Sequence, residues 1–108
     1  MRDFNEEIKK YPIFIIRNGQ IERYYGIESI NDYDHSIMQL HHYIKDYERN
    51  KSYYDKNGIE QKLFLIPVQM HEQIHLRGIK TMTDEEFEDT YGISRWDLIY
   101  NRKYYAAN

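Results

Sequence analysis

Two short apolar runs near the N-terminus predict a β-hairpin. The first covers residues 13–16 and the second residues 21–25, and both contain isoleucine and aromatic side chains that favour strands. Asn18 and Gly19 lie between them, and Asn-Gly is a favoured dipeptide for a type I′ turn, which needs positive φ at both positions. We therefore expect a hairpin over residues 11–25.

The segment from Asp34 to Tyr47 allows two interpretations. Its apolar residues recur at the spacing of a helical stripe, and Asp34 could cap the N-terminus of that helix. Residues 37–44 can instead form a buried strand that carries His41 and His42 near its end. Periodicity favours the helix but does not decide between the two.

The next part of the chain gives clearer signals. Residues 48–61 are polar and contain an Asn-Gly turn dipeptide, so we expect a loop that carries at most a short helix. Residues 63–66 form a compact apolar run suited to a buried strand. Pro67 suits the first turn of a helix, which we expect to continue as far as Leu76.

Capping signals predict helical structure after residue 82. Thr83 and Glu86 form a Thr-x-x-Glu capping box, and Gly92 is a natural C-terminal stop. Ser94 offers a second capping pattern, after which Trp96 could dock a final helix against the core. We therefore expect a C-terminal helical extension over about residues 83–105.

Composition indicates one folded domain of the α+β class that spans residues 1–108. The chain has 108 residues, of which 41% are hydrophobic and 31% charged, and this balance excludes a disordered tail. No apolar run approaches the roughly 20 residues that cross a bilayer, and the N-terminus lacks an apolar signal core. We expect a cytoplasmic protein with no membrane partner.

The charge of the chain is mildly acidic. A net charge of −3 counts against a protein that holds duplex DNA by charge alone. The acidic residues 84–89 form one block, so the two signs of charge could segregate onto different faces. Basic residues are concentrated after the histidines: Arg77, Lys80, Arg95, Arg102 and Lys103.

Four of the five histidines form two pairs with the spacing of a metal site. Cysteine is absent, so such a site must use nitrogen and oxygen ligands. Residues four apart on a helix share a face, so His71 and His75 can offer two imidazoles to one ion. Neighbours on a strand point to opposite sides, so only one of His41 and His42 can join them. His35 fits no role and is expected at the surface.

This arrangement resembles the HNH, or ββα-metal, nucleases, and most closely the colicin-DNase branch. The resemblance covers roughly a third of the chain: His-His at 41–42, the apolar strand at 63–67 and His-x-x-x-His at 71–75. It implies a central ββα-metal motif over about residues 37–77, between the hairpin and the helical extension. Two features depart from the family, which usually has an asparagine before the second strand and a glycine-rich loop after the first histidines. Gln61 stands at the place of that asparagine, and Asn57 could substitute for it.

The resemblance also implies roles for individual residues. His41, His71 and His75 would bind a divalent ion (Mg²⁺, Mn²⁺, Ni²⁺ or Zn²⁺), and His42 would act as the general base. Arg77, just after the helix, would contact phosphate and stabilise charge in the transition state.

The implied function is metal-dependent hydrolysis of DNA phosphodiester bonds, in a protein of phage or mobile-element type. One alternative is a non-catalytic interaction or inhibitor protein that keeps a degenerate HNH-like fold and binds a protein partner. A second is a zincin-like metalloprotease, because residues 71–75 satisfy His-Glu-x-x-His with Glu72 as the base. The protease hypothesis leaves His41 and His42 unexplained.

Overall fold

The computed structural model describes residues 4–100 and shows a four-stranded sheet with helical structure on both faces. The sheet order is β2-β1-β4-β3, so β3 lies at one edge. The expected α+β class is confirmed. In chain order the elements are α1 (Phe4–Lys10), β1 (Ile13–Arg17), β2 (Gln20–Arg23), a 3₁₀ turn (Ile30–Asp32), β3 (Met38–His42), α2 (Lys51–Lys56), β4 (Leu63–Pro67), α3 (Val68–Ile74), α4 (Asp84–Tyr91) and a second 3₁₀ turn (Arg95–Leu98).

The N-terminal hairpin forms where it is predicted. β1 and β2 pair antiparallel, and the turn residues Asn18 and Gly19 both have positive φ, 53° and 73°. This turn also packs closely against the end of α4, since a Cβ on Gly19 would lie 2.5 Å from the carbonyl oxygen of Gly92. Glycine at position 19 thus serves both the turn conformation and the close approach of two distant segments.

β3 is a strand, so the helical periodicity between Asp34 and Tyr47 is misleading. β3 pairs antiparallel with β4 over its whole length, from Met38 opposite Pro67 to His42 opposite Leu63. Leu40 and His41 are both buried although they point to opposite faces. A strand buried on both faces loses the period-two alternation that would identify it in a sequence.

The two faces of β4 divide the core. Phe64 and Ile66 pack with α3, α4 and the second 3₁₀ turn, while Leu63 and Leu65 pack with α1 and the segment around Ile27. The same division applies to β3, because residues directly opposite each other in paired strands have their side chains on the same face of the sheet. His41 therefore lies on the α3 side of the sheet, and His42 lies on the α1 side.

Several helices differ in extent from the predictions. α1 is not foreseen by the periodicity analysis, and α3 ends at Ile74 rather than at Leu76, which has a φ of 55°. The Thr83 capping box forms as predicted, but Ser94 caps a 3₁₀ turn instead of a helix. Positions 101–105 of the predicted extension lie outside the described residues. Within residues 4–100, none of the helices has the length and apolar character that a membrane span requires.

Gln61 fastens the long connection between β3 and β4. Its side chain accepts a hydrogen bond from the Ile44 amide at 2.9 Å and donates one to the Ile44 carbonyl at 2.8 Å. Both residues are buried, with exposures of 4% and 1%. The side chain of Asn57, by contrast, donates to the Tyr53 carbonyl of its own helix. Gln61, and not Asn57, thus braces the backbone that follows His42.

Replacing Gln61 with leucine is expected to destabilise the fold. The change keeps the approximate volume but leaves the amide and carbonyl of Ile44 without these partners, at about 1–3 kcal/mol for each unsatisfied buried group. Urea unfolding would measure the loss. The exposed Asn57→Ala variant is the control and should change stability by less than about 0.5 kcal/mol. Equal stability of the two variants would show that the bridge to Ile44 does not hold this loop.

Candidate metal centre

Three histidines from β3 and α3 meet beside the sheet edge. His41 projects from β3, His71 lies in α3, and His75 follows directly after that helix. Their ring centroids lie 5.2 Å (His41–His71), 5.1 Å (His41–His75) and 4.6 Å (His71–His75) apart. One nitrogen of each ring lies within 4.8 Å of the corresponding nitrogen of the others, which is close enough for the three to hold a metal ion. The structure thus brings together the three predicted ligands.

His41 is held in a single tautomer by the backbone. Its Nε2 donates a hydrogen bond of 2.8 Å to the carbonyl of Leu98, which can only accept. The side chain is 1% exposed, and its Nδ1 is buried without a hydrogen-bond partner among residues 4–100. Nδ1 therefore carries an unused lone pair, as a metal ligand requires.

His71 is oriented in a similar way by Gln39. Its Nδ1 donates to the side-chain oxygen of Gln39 at 2.7 Å, so its Nε2 bears the lone pair. That Nε2 lies 3.0 Å from the Nε2 of His75. The His75 amide donates to the His71 carbonyl at 3.2 Å, which preserves the i, i+4 relation although the helix ends one residue earlier. Two nitrogens at this separation are arranged to share one proton or one ion.

All three imidazoles are neutral near pH 7. Burial, followed by repulsion from His71 and His75, lowers the pKa of His41 to about 3. Burial is also the main reason that the pKa values of His71 and His75 fall to about 4, and the positive charge of Arg77 contributes to both shifts. Neutral imidazole is the form that binds metal ions, so near pH 7 the three side chains can bind a cation without first losing a proton from a charged ring.

His42 has different surroundings from those of His41. Its Nε2 donates to the carboxylate of Glu7 in α1, and the two side chains are each 13% exposed. The ring of Phe4 lies 5.8 Å from the His42 ring. The two adjacent histidines thus have separate partners on opposite faces of β3, as the strand geometry predicts.

An open cavity of about 290 Å³ joins the two sets of histidines at the edge of the sheet. We name it the histidine cavity; its lining residues are Phe4, Leu40, His41, His42, Lys45, His71 and His75. Lys45 supplies a positive charge there, and exposed Arg77 is near enough to shift the pKa values of two of the histidines. The site can therefore combine a cation, a histidine outside the cluster and basic side chains.

Other residues singled out in the sequence lie elsewhere. Glu72 does not line the histidine cavity, and its carboxylate lies near Gly78, where a Cβ would come within 3.2 Å of it. Arg95 is 3% exposed and bonded to Asp84, so it stabilises the fold rather than offering a surface for nucleic acid. Arg102 and Lys103 lie outside the described residues.

The groups that orient the histidines are not predicted by the sequence pattern. Glu7 belongs to a helix that was not predicted, and the Leu98 carbonyl is a backbone atom with no signature in the sequence. Gln39 could have been found, since it lies two residues before His41 and so on the same face of a strand. The spacing identifies Gln39 only if residues 37–44 form a strand, and the sequence pattern leaves a helix open for this segment.

The cluster is expected to bind Zn²⁺ or Ni²⁺ in titration calorimetry of metal-free protein. His71→Ala removes one ligand and should raise the dissociation constant by more than about 100-fold, whereas Gln39→Leu removes only an orienting bond and should raise it by about 10–100-fold. His35→Ala is the control, because His35 is exposed and outside the cluster. Unchanged affinity in His71→Ala would exclude the cluster as the binding site.

Stability of the metal-free protein is expected to fall as the pH falls below about 6.5. The folded state keeps His41 unprotonated down to a pKa of about 3, whereas the unfolded chain takes up the proton near its ordinary value of 6.5. The unfolded state thus binds more protons in this window, and stability rises with pH there. Between pH 7.5 and 5 His41 alone should account for about 2 kcal/mol, with smaller contributions from the half-buried His71 and His75.

Urea unfolding in chelator at several pH values tests this dependence. His41→Gln should remove about 2 kcal/mol of the change between pH 7.5 and 5, while the exposed His35→Gln should leave it intact. An identical pH profile for His41→Gln and the unsubstituted protein would contradict the assignment.

Comparison of the chain with known protein families, with curated proteins and with solved structures finds no match. Over residues 38–75 the elements are β3, a long connection that contains α2, then β4 and α3. Membership of the HNH nuclease family stays a prediction.

Proposed function

We propose that this protein is a divalent-metal-dependent nuclease that hydrolyses DNA phosphodiester bonds by an HNH-type mechanism. His41, His71 and His75 hold the ion, His42 is the general base, and Arg77 stabilises the negative charge that develops on the phosphate. When bound, the ion would supply Lewis-acid polarisation of the scissile phosphate.

The observation that carries the proposal is the buried Nδ1 of His41, which has no hydrogen-bond partner within residues 4–100. A buried nitrogen without a hydrogen bond costs about 1–3 kcal/mol. Here it belongs to a ring that the Leu98 carbonyl fixes, and that ring has one nitrogen within 4.8 Å of a ring nitrogen of each of two further neutral histidines. Such an arrangement is costly for a packing residue and suitable for a ligand.

The donor set favours particular ions among the four expected ones. Imidazole suits Zn²⁺ and Ni²⁺, whereas Mg²⁺ prefers oxygen ligands. Three neutral histidines without a carboxylate therefore support Zn²⁺ or Ni²⁺ as the ion, with Mn²⁺ binding more weakly and Mg²⁺ most weakly. Three protein ligands also leave coordination positions for substrate, as in catalytic rather than structural sites.

The bond between His42 and Glu7 supports the role of His42 as base. A carboxylate that accepts from one imidazole nitrogen fixes the orientation of the ring and stabilises the positive charge that the ring gains with a proton. In the proposed step His42 takes a proton from the attacking water, while the new P–O bond forms and the bond to the leaving oxygen breaks. Glu7 thus acts through His42 as a positioning residue.

The basic side chains near the cluster support an anionic substrate. Lys45 lines the histidine cavity, and none of the aspartates and glutamates within residues 4–100 does so. Arg77 lies just beyond α3, where its guanidinium could pair with a phosphate oxygen. A phosphodiester would therefore meet positive charge on entering the site.

A non-catalytic interaction protein is the second candidate, and the net charge of −3 favours it. In such a protein the same three histidines would bind an ion without cleavage, and the site would serve to hold β3 against α3. The metalloprotease hypothesis gains no support, because Glu72 does not line the cavity of its presumed ligands.

Cleavage of supercoiled plasmid and of single-stranded DNA across Mg²⁺, Mn²⁺, Ni²⁺ and Zn²⁺ tests the proposed function. His42→Ala should lower the cleavage rate by about 10²–10⁴-fold, the usual range for loss of a general base, and should leave the affinity for metal unchanged. Glu7→Gln should cause a smaller loss, again without effect on metal binding. Glu6→Gln, on the exposed neighbour of Glu7, is the matched control.

Three results would each decide a different question. Undiminished cleavage by His42→Ala would remove His42 from the mechanism. Tight metal binding without cleavage by the unsubstituted protein, under all four ions, would favour the interaction protein. Cleavage that survives His71→Ala would assign the activity to a contaminant or to another site.

A further inference from the structure

A second cavity of about 250 Å³ adjoins the histidine cavity, and most of its lining has no role in the proposed metal centre. We name it the aromatic cavity. It shares Phe4, Leu40 and His71 with the histidine cavity, so the two are neighbouring depressions along β3. Its other lining residues are Tyr33, His35, Met38 and Gln39.

Tyr33 and His35 form a preassembled stack in this cavity. Their ring centroids lie 4.4 Å apart and their planes differ by only 6°. The Nε2 of His35 donates to the Ile30 carbonyl at 2.6 Å, which fixes the ring although the residue is exposed. The Ile30 amide in turn donates to the side chain of Asn5 in α1 at 3.0 Å. The stack is thus tied to the helix that also carries Glu7.

The chemistry of the lining suits a flat, uncharged ring. Parallel aromatic rings, a methionine and a phenylalanine offer the π surface and soft apolar contacts that stack with nucleobases. Among the residues that the structure describes, no aspartate or glutamate lines this cavity either, so none of these side chains would repel a phosphate attached to the ring. A nucleotide would meet aromatic groups in one depression and the histidines and Lys45 in the other.

We propose that the aromatic cavity receives the nucleobase next to the scissile phosphate, and that the substrate is therefore an unpaired strand rather than a duplex. This inference rests on the nuclease function proposed above. His71 connects the two cavities, because it lines both and is bonded to Gln39 in the aromatic cavity. A base in a duplex is paired and stacked on both sides, so it could enter only after leaving the helix.

The net charge of the chain agrees with this choice of substrate. Binding of a duplex depends mainly on neutralising many phosphates, and a protein of net charge −3 is poorly equipped for that. Stacking of a base on aromatic side chains supplies affinity without a large positive surface.

Binding without metal separates this inference from the cleavage reaction. Fluorescence anisotropy in chelator would compare a short single-stranded DNA with an abasic strand of the same length and with the corresponding duplex. We expect the base-bearing strand to bind at least about tenfold more tightly than either of the others, given the usual strength of base stacking on aromatic side chains.

Four variants locate the preference within the molecule. His35→Ala and Tyr33→Ala should each reduce the preference for the base-bearing strand over the abasic strand by about fivefold or more, and Tyr33→Phe, which keeps the ring, should restore it. Tyr53→Leu removes a tyrosine that is 59% exposed and lies outside both cavities, so it should have no effect. His35 is exposed, so its variant tests the proposal even if Tyr33→Ala fails to fold.

The outcomes distinguish the two proposals. Equal affinity for the base-bearing and abasic strands, no measurable binding of either, or a preference that survives His35→Ala would overturn the base-binding cavity. Tighter binding of the duplex would overturn the unpaired substrate. A clear preference for bases in a protein that nicks no DNA under any metal would support the cavity and refute the nuclease.

Discussion

The antiparallel pairing of β3 with β4 determines which of two adjacent histidines faces α3. β4 runs directly into α3 through Pro67, which is both the last residue of the strand and the N-cap of the helix. With His41 opposite Phe64, the imidazole of His41 lies under His71 and His75. A slip of one residue would exchange the faces of His41 and His42, so the register of a single strand pair selects both the proposed ligand and the proposed base.

The energetics of His41 explain why this register points to a ligand and not to packing. A leucine at this position would bury apolar surface without leaving a nitrogen unpaired. It would also carry no titratable group to interact with the two neighbouring imidazoles. The chain instead holds one nitrogen against the Leu98 carbonyl and leaves the other without a partner among the described residues. The unpaired nitrogen of His41 thus lowers the free energy of unfolding at the place where the three histidines meet. Local losses of stability of this kind are common at functional sites.

Local signals predicted the parts of the structure that depend on neighbouring residues. The Asn-Gly turn, the Thr83 capping box and the i, i+4 pair at positions 71 and 75 all act within a few residues, and each is present in the structure. The hydrophobic pattern of β3 does not distinguish a strand from a helix, because burial on both faces removes the alternation of apolar and polar residues that identifies a strand. The partners of the histidines lie far along the chain, with Glu7 35 residues from His42 and Leu98 57 residues from His41. Only tertiary packing reveals such pairs.

The distribution of charge connects the two proposals. Acidic side chains are gathered elsewhere, above all in the first turn of α4, where Asp84, Glu85 and Glu86 are favoured by the helix dipole. Within the described part of the chain, none of them lines either cavity along β3, although Glu7 is bonded to His42. Long-range attraction of a polyanion is therefore weak, and the affinity of a nucleic acid must come from contacts made after it reaches the cavities. Stacking is a contact of this kind and is less sensitive to salt than phosphate neutralisation, so an acidic protein with an aromatic cavity beside its histidines is better matched to an exposed base than to the backbone of a duplex.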